Sequence, residues 1–282
     1  MDMHELIRVS GTYPILQIED FGGYQSRHEH TISVMRSAMT KYEHDLIGRV
    51  FDFYIYTGDN PERVAPLGPD VPVLAYSVTD KTTPNVLTIP DHIFGGWPEA
   101  GIDSYEESTA AITQAGLPAP SIDKLFWIGC TATHPSRSAL MDIGAQYPED
   151  MHFVGMGWHA TYTGKKQDTT AFVSLPDHCK YSMLIDIRGN GYSGRLKMLM
   201  HANRPVFVVG SPFSEFFSPA LRPFENYVPV RSDMSGLVDL IAEVKSNPEL
   251  ARRLSDGATR LAREHLTLDR ALECWKYVLE RI

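Results

Sequence analysis

The stretch that decides the fold is Met183–Lys197, whose sequence is MLIDIRGNGYSGRLK. Its first five residues, Met183–Ile187, are mostly apolar and predict a buried strand. A glycine-rich turn follows, and after it the pattern predicts a helix over Arg195–His201. The backbone N–H groups of such a turn, together with Arg188 and Arg195, favour binding of an anion such as a diphosphate. The alternative is a tight turn whose arginines only face solvent.

Outward from this stretch, short apolar runs alternate with helical segments, which is the pattern of a parallel α/β sheet. Strands are predicted at Tyr13–Ile18, Phe51–Tyr56, Val71–Tyr76, Asn85–Ile89, Lys124–Ile128, His152–Val154, Met183–Ile187, Val206–Val209 and Tyr227–Val230. Further helices are predicted at Thr31–Lys41, Tyr105–Ala115, Ser136–Gln146 and Leu237–Ser246, with a pair in Pro248–Ile282. Ala160–Thr170 has the composition of a polar loop. Gly116–Ser121 contains two prolines that cannot continue a helix, and we place the linker between two domains there.

Length, composition and charge narrow the class of protein. A chain of 282 residues accommodates one large α/β domain or two smaller ones. Hydrophobic residues make up 43% and charged residues 22%, and these values exclude a disordered chain. The net charge is −9, from 26 Lys and Arg against 35 Asp and Glu, and no block of five like charges occurs. A nucleic-acid partner is therefore not expected.

The cysteines and the apolar runs indicate the cellular compartment of the protein. Cys130, Cys179 and Cys274 are far apart, so they form neither a disulfide framework nor a CxxC metal motif. The most apolar short run, Pro205–Val209, is far too short to cross a membrane, and the acidic start at Met1 is not followed by a long apolar stretch. These observations predict a cytoplasmic protein without a membrane span.

Two further strand ends carry candidate chemistry. Phe51–Tyr56 leads to Asp59, and an acid at the carboxyl end of a parallel strand faces the crevice where α/β proteins bind ligands. Asp59 is thus a candidate general base, and the alternative is a turn residue. The segment Phe126–Arg137 contains a second glycine turn, with Arg137 one step beyond Ser136. It predicts another anion cradle, and the alternative is an ordinary loop whose helix is capped by Ser136.

Other local patterns open alternative interpretations. Gly189, Gly191 and Gly194 read as GxGxxG, and Glu215 lies 21 positions further, so an NAD-dependent oxidoreductase is one alternative. However, Glu215 falls several residues after Val206–Val209, whereas the dinucleotide fingerprint needs its acid at the strand tip.

A protein-bound metal is a weaker possibility. The His-Glu-His run at positions 28–30 does not have helical metal-ligand spacing, and neither HExxH nor Asp-x-Asp occurs. No metal site is therefore predicted.

Four motifs in order make the sequence recognisable: DHCKY at Asp177–Tyr181, RGNGYSGRLK at Arg188–Lys197, EFFSPALRP at Glu215–Pro223 and YVPV at Tyr227–Val230. Together they resemble glycosyltransferase family 90, which contains protein O-glucosyltransferases, fungal capsule xylosyltransferases and viral or bacterial relatives. The resemblance is strong over Leu175–Ile282 and extends more thinly to the earlier turns that contain Arg137 and Asp59.

The resemblance implies a GT-B architecture, with two Rossmann-like domains whose parallel sheets face a central cleft. On this basis residues 1–118 form the acceptor-side domain and residues 119–282 form the domain that binds the UDP-sugar. The last helix is then able to pack back on the N-terminal domain.

The resemblance also implies a reaction and a site. By this resemblance, the chain is expected to be an inverting, metal-independent enzyme. It would transfer glucose from UDP-glucose, or xylose from UDP-xylose, to a hydroxyl of an oligosaccharide or glycan acceptor. Asp59 matches the catalytic aspartate, and Arg137 and Arg195 match the arginines that hold the diphosphate. The implied donor site also includes Gly189, Gly191, Ser193, Gly194 and Glu215. No cofactor is required, and similarity to short viral-type members favours UDP-xylose slightly.

The chain departs from the family at one position of chemical interest. Where the family has an aromatic residue followed by Arg-Gly-Ser, this chain has Trp127-Ile128-Gly129-Cys130. A side-chain contact is missing there, and a non-catalytic protein that binds sugar nucleotides or glycans therefore stays an alternative.

Overall fold

The computed structural model describes residues 3–157 and 172–282. The predicted polar loop at Ala160–Thr170 lies outside the described residues. The chain divides into two compact α/β units. Unit 1 comprises Met1–Tyr105, Pro212–Pro219 and His265–Ile282, and unit 2 comprises Glu106–Ser211 and Ala220–Glu264.

The described strands are β1 Leu6–Thr12, β2 Ile15–Asp20, β3 Val50–Tyr56, β4 Val73–Ala75, β5 Val86–Thr88, β6 Ile122–Cys130, β7 Met151–Met156, β8 Tyr181–Asp186, β9 Val206–Val209 and β10 Val228–Val230. The described α-helices are α1 Gln25–Lys41, α2 Glu43–Leu46, α3 Tyr105–Ala115, α4 Pro135–Gln146, α5 Leu175–His178, α6 Leu196–Leu199, α7 Leu237–Ser246, α8 Pro248–His265 and α9 Leu268–Leu279. Short 3₁₀ helices lie at Pro61–Leu67, His92–Phe94, Pro98–Ala100, Thr131–Thr133 and Ser218–Ala220.

The sheet of unit 1 has the strand order β2-β1-β3-β4-β5. β3, β4 and β5 are parallel, whereas β1 runs antiparallel to both β2 and β3. The sequence did not predict β1, because Arg8 and Ser10 interrupt its apolar residues. Arg8 lies on the solvated face and pairs there with Asp52 of β3 at 2.9 Å, while Val9 is fully buried. Polar residues on one face are ordinary for an antiparallel strand.

The sheet of unit 2 has the order β10-β9-β8-β6-β7, and all its neighbouring pairs are parallel. Its central strands are apolar and buried, as parallel strands between helical layers must be. β8 lies beside β6, so the loops that follow these two strands start from the same edge of the sheet. The predicted turn at Gly189–Gly194 occupies the loop after β8. The second predicted glycine turn is wrong, because Gly129 lies within β6, where it pairs with Gly155 of β7.

The two units differ from the predicted ranges 1–118 and 119–282 near the linker. α3 from Glu106 onward and the Gly116–Ser121 segment belong to unit 2. The buried guanidinium of Arg204 explains this, because it donates to the carbonyls of Gly116 at 2.9 Å and Pro118 at 2.8 Å.

The C-terminal helix belongs to unit 1. α9 packs against α1, where Lys41 pairs with Asp269 at 2.8 Å. The hydroxyl of Tyr105 donates at 2.6 Å to the carbonyl of Leu266, which lies just before α9. The 212–219 segment also belongs to unit 1, where Val78 and Ser214 form an isolated β-bridge.

The predicted class, α/β with two Rossmann-like units, is confirmed. The N-terminal sheet differs from a fully parallel one through its antiparallel β1 and β2. Among the described residues, no helix combines the length and the hydropathy needed to cross a membrane.

Candidate active site

Arg137 joins the end of β6 to the start of the glycine turn that follows β8. From the first turn of α4, its Nη1 donates to the carbonyl of Cys130 at 3.1 Å. Its Nε donates to the carbonyl of Arg188 at 2.9 Å, and its Nη2 to that of Ile187 at 3.1 Å. One guanidinium therefore joins the end of β6 to the end of β8. A cation held at three points is fixed before any ligand arrives.

Arg195 is the second cation of this cluster. Its Nη1 donates to the carbonyl of Ile128 in β6. Its Nε is buried and makes no hydrogen bond to any described residue. Burial lowers the pKa of Arg195 to about 10, so the guanidinium stays protonated at neutral pH. A buried, unpaired N–H on a cation is costly, and an anion bound here would relieve that cost.

Both guanidinium groups lie against the same aromatic ring. The Cζ of Arg137 is 5.6 Å and the Cζ of Arg195 is 5.8 Å from the ring centre of the buried Trp127. Attraction to the ring offsets part of the repulsion between the two cations. The family motif differs at Trp127–Cys130, and here the backbone of this segment makes the contacts. The carbonyl of Ile128 accepts a hydrogen bond from Arg195, and the carbonyl of Cys130 accepts one from Arg137.

The glycine turn lies directly against this cluster. A Cβ at Gly189 would be 3.3 Å from Thr133 Oγ1 and 3.4 Å from Arg137 Nη2, so a side chain there would be in tight contact with both. Gly191 is buried in the same turn, and Gly194 is partly buried at its end. Glycine at position 189 permits the close approach of the two loops.

Ser193 does not aim a free hydroxyl proton at the cluster. Its Oγ donates to Oδ1 of Asp186 at 2.6 Å, across the turn. Arg188 is likewise bound to its own turn, where it donates to the carbonyls of Gly189 at 3.1 Å and Asn190 at 2.7 Å.

The helix predicted over Arg195–His201 is shorter than expected. α6 is a single turn, and further turns follow it. One turn aligns few peptide dipoles, so the positive potential comes mainly from side chains. The alternative considered for the loop before α4, a helix capped by Ser136, is not what the structure shows. Nδ1 of His134 accepts from the backbone N–H of Ser136 at 3.2 Å, and the imidazole takes the place of a serine cap.

Asp186 and Lys197 are charged residues of this cluster that sequence reasoning missed. Asp186 is 3% exposed and Lys197 is 0% exposed. Burial raises the pKa of Asp186, whereas Arg195, the Ser193 hydrogen bond, Arg137 and Lys197 oppose the rise. Asp186 interrupts an otherwise apolar strand, and that interruption is the signal that could have found it.

In unit 1, Asp59 lies just after β3 and is held by α1. Nη1 of Arg27 donates to Asp59 Oδ1 at 3.0 Å and to the carbonyl of Thr57 at 3.1 Å. The same guanidinium lies 4.5 Å from the ring centre of Tyr24. The Asp59 side chain is 32% exposed. Its carboxylate is therefore oriented by a fixed cation while it stays accessible to solvent.

The Thr57 turn is itself fixed by a buried histidine. His28 is 1% exposed, and its ring nitrogens lie 2.7 Å from Thr57 Oγ1 and 2.8 Å from Asp20 Oδ1. The Thr57 hydroxyl also contacts the carbonyl of Glu5 at 3.1 Å. His28 thus joins α1 to the end of β3. Its spacing from the buried Thr31 on the same helix face is the sequence signal for this role.

The predicted site residues divide between the units. Arg137, Gly189, Gly191, Ser193, Gly194 and Arg195 come together in unit 2, whereas Asp59 and Glu215 belong to unit 1. Glu215 is 7% exposed, and its backbone N–H donates to Ser218 Oγ at 2.8 Å. It follows the end of β9 by six residues and shares no unit with the glycine turn. This separation does not fit the dinucleotide fingerprint.

The fold and this cluster define a class: an α/β protein with two sheet-bearing units, one of which brings two fixed arginines and a glycine turn together. The model of glycosyl transferase family 90 matches residues 19–281, and the chain belongs to that family. The predicted family and the GT-B fold class are thereby confirmed.

Characterised relatives share the family but are longer. The chain is 28% identical to human protein O-glucosyltransferase 1 over 250 residues, which are 83% of this chain and 63% of the human protein. It is 26% identical to the O-glucosyltransferase rumi of Drosophila melanogaster over 245 residues, 82% of this chain and 59% of rumi. The chain thus spans about three fifths of the length of these relatives.

Solved structures resemble the chain more distantly. Anabaena HepE in complex with UDP-glucose has a TM-score of 0.48 and 12% identity, and the match covers 78% of this chain and 67% of the HepE chain. A glycosyltransferase from Rickettsia africae has a TM-score of 0.43 and 8% identity, and covers 79% of this chain and 68% of its own.

Proposed function

We propose that the chain is an inverting glycosyltransferase that transfers a sugar from a UDP-sugar to a hydroxyl of a glycan or glycosylated acceptor. The observation that carries the proposal is the pair of fixed arginines over Trp127 in unit 2, in a chain of glycosyltransferase family 90. The relatives named above are O-glucosyltransferases, which supports the same reaction class.

The donor half of the reaction belongs to unit 2. As the bond between the sugar and UDP breaks, the diphosphate gains negative charge. Arg137 and Arg195 are positioned before the reaction, so they stabilise the departing UDP without reorganisation. The buried Nε of Arg195, which makes no hydrogen bond to any described residue, supplies a donor that a diphosphate oxygen can accept from.

The acceptor half belongs to unit 1. The acceptor hydroxyl must lose a proton as it attacks the anomeric carbon, and Asp59 takes that proton. Arg27 occupies Oδ1 of Asp59, while Oδ2 makes no hydrogen bond to any described residue and is free to accept. One carboxylate base and one displacement invert the configuration at the anomeric carbon, whereas retention by double displacement needs a second group as nucleophile.

The donor sugar is glucose or xylose. The names of the relatives favour glucose, whereas the resemblance to a family that also contains xylosyltransferases keeps xylose as the second candidate. The two sugars differ by one hydroxymethyl group, which a pocket distinguishes by about 1–3 kcal/mol when the contact is apolar. Both donors are therefore expected to bind, with one of them turned over faster.

A donor screen tests the proposal. Purified protein is incubated with each common UDP-sugar, and release of UDP is measured with and without a glycan acceptor. The proposal predicts turnover with UDP-glucose or UDP-xylose, and a thermal shift with UDP but not with NADH. Stabilisation by NADH alone would support the oxidoreductase alternative. Tight UDP binding without turnover of any UDP-sugar would support a non-catalytic binding protein.

A further inference from the structure

Asp186 is a buried carboxylate at the carboxyl end of β8, in the middle of the sheet of unit 2. Its residue is 3% exposed, so its charge is poorly solvated and needs compensation from the protein. The proposed reaction assigns it no role: it is neither the base nor a donor of hydrogen bonds to the diphosphate.

The carboxylate closes the glycine turn. Ser193 Oγ donates to Asp186 Oδ1 at 2.6 Å, a bond between residues seven positions apart that flank the turn. The hydroxyl has one proton, and that proton is used here. Ser193 therefore anchors the turn to the end of β8 and has no proton left for a phosphate oxygen.

Three cations are held by the backbone on either side of this carboxylate. Arg137 donates to the carbonyls of Ile187 and Arg188, the two residues that directly follow Asp186. Arg195 and the buried Lys197 come directly after the Ser193 anchor, and Lys197 Nζ donates to the carbonyl of Gly194 at 3.1 Å. All three cations act electrostatically on Asp186. The Asp186 carboxylate is thus the acidic partner of three cations whose backbone anchors lie next to it in sequence, at the place where the diphosphate is proposed to bind.

We propose that Asp186 is a positioning residue with two effects on that site: through Ser193 it holds the glycine turn in place, and through its charge it limits how tightly the cluster holds a nucleotide diphosphate. A cluster of three cations without a counter-ion would bind the product UDP strongly and release it slowly. Asp186 supplies part of the neutralising charge, so UDP leaves faster. This proposal rests on the proposed function, which places UDP at the cluster.

The test is the variant Asp186→Asn, which is nearly isosteric. The amide oxygen still accepts from Ser193, so the turn keeps its anchor while the negative charge is lost. Calorimetry with UDP and with inorganic pyrophosphate measures affinity, and stopped-flow displacement measures the rate of UDP release. We expect about tenfold tighter binding of both probes, which corresponds to about 1.4 kcal/mol, and slower release of UDP. A purely structural role for Asp186 predicts the opposite sign, namely weaker binding.

Two further variants complete the test. Ser193→Ala keeps the charge of Asp186 and removes the anchor, so UDP binding should not tighten. If Asp186→Asn fails to fold, Asp186→Ser removes the charge with a smaller side chain, and tighter binding is again expected. Equal or weaker binding of UDP by a folded, charge-free variant overturns the proposal. Wild-type protein that binds pyrophosphate but not UDP contradicts the proposed function alone, and the pyrophosphate measurement then tests Asp186. If the wild-type protein binds neither UDP nor pyrophosphate, the proposed function and the proposed role of Asp186 are both overturned.

Discussion

Arg27 and Asp59 form an ion pair of 3.0 Å between the first turn of α1 and the end of β3, although 32 positions separate them in sequence. The guanidinium also holds the carbonyl of Thr57 and lies over Tyr24, so it is bound on three sides. The pair therefore fixes the direction in which the Asp59 carboxylate points.

The first prediction concerns Asp59 as the general base. Asp59→Asn keeps the shape of the side chain but removes its ability to take a proton. We expect transfer to fall at least ~100-fold, the lower range for a positioned base, while affinity for UDP changes little. Initial rates and calorimetry measure the two quantities. Near-normal turnover by the variant would remove Asp59 from the mechanism.

The second prediction concerns Arg27. Arg27→Met removes the ion pair and leaves Asp59 free to rotate, so kcat should fall about tenfold because the base is no longer held in one direction. KM for the UDP-sugar should stay within about twofold. Arg27→Lys keeps the charge but not the planar fork, so its kcat should lie between those of the wild-type protein and Arg27→Met. A change in KM without a change in kcat would contradict an orienting role.

The sequence predicts much of the fold, but it does not predict which charged groups pair with each other. The β8 strand and its turn were predicted because an apolar run precedes closely spaced glycines. β1 was missed because Arg8 and Ser10 lie on its solvated face, where polar residues hide the strand pattern. The pairing of Arg27 with Asp59 depends on α1 packing beside the end of β3, which no local pattern records.

The third prediction concerns the diphosphate site of unit 2. Arg137→Ala and Arg195→Ala should each weaken UDP binding by about 1.5–3 kcal/mol, the range for hydrogen bonds to charged groups. The larger loss is expected for Arg195, whose buried Nε has no hydrogen-bond partner within the part of the chain that the structure describes. Arg231→Ala is the matched control in the same unit, because that side chain is 75% exposed and should leave affinity unchanged. Unaltered affinity in both test variants would place the nucleotide elsewhere.

The fourth prediction concerns His178, which is buried in unit 2 beside Arg195. Burial, followed by repulsion from Arg195, lowers its pKa to about 3, from a usual value near 6.5. The unfolded chain thus binds a proton at this residue between pH 6.5 and pH 3, while the folded chain does not. Stability contributed by the neutral ring is therefore present above pH 6.5 and is lost as pH falls, by about 1.4 kcal/mol for each pH unit.

The variant His178→Asn isolates this effect. The asparagine Nδ2 can replace the ring Nδ1, which donates to the carbonyl of Ser174 at 2.7 Å, but it does not titrate. Chemical denaturation at pH 7 and pH 5 should show that the wild-type protein loses about 2 kcal/mol more than the variant. Equal losses in both proteins would show that His178 titrates alike in the folded and unfolded states.

The last prediction concerns metal dependence and the stereochemistry of the product. Arg137 and Arg195 supply fixed positive charge at the proposed diphosphate site, and the chain contains no Asp-x-Asp motif to bridge a cation to the donor. Transfer should therefore persist in EDTA at a rate within about twofold of the untreated enzyme. Because Asp59 acts as one base in a single displacement, an α-linked donor should give a β-linked product. Activity that EDTA abolishes and manganese restores would show that the arginines do not suffice, and an α linkage in the product NMR spectrum would require a nucleophile in addition to Asp59.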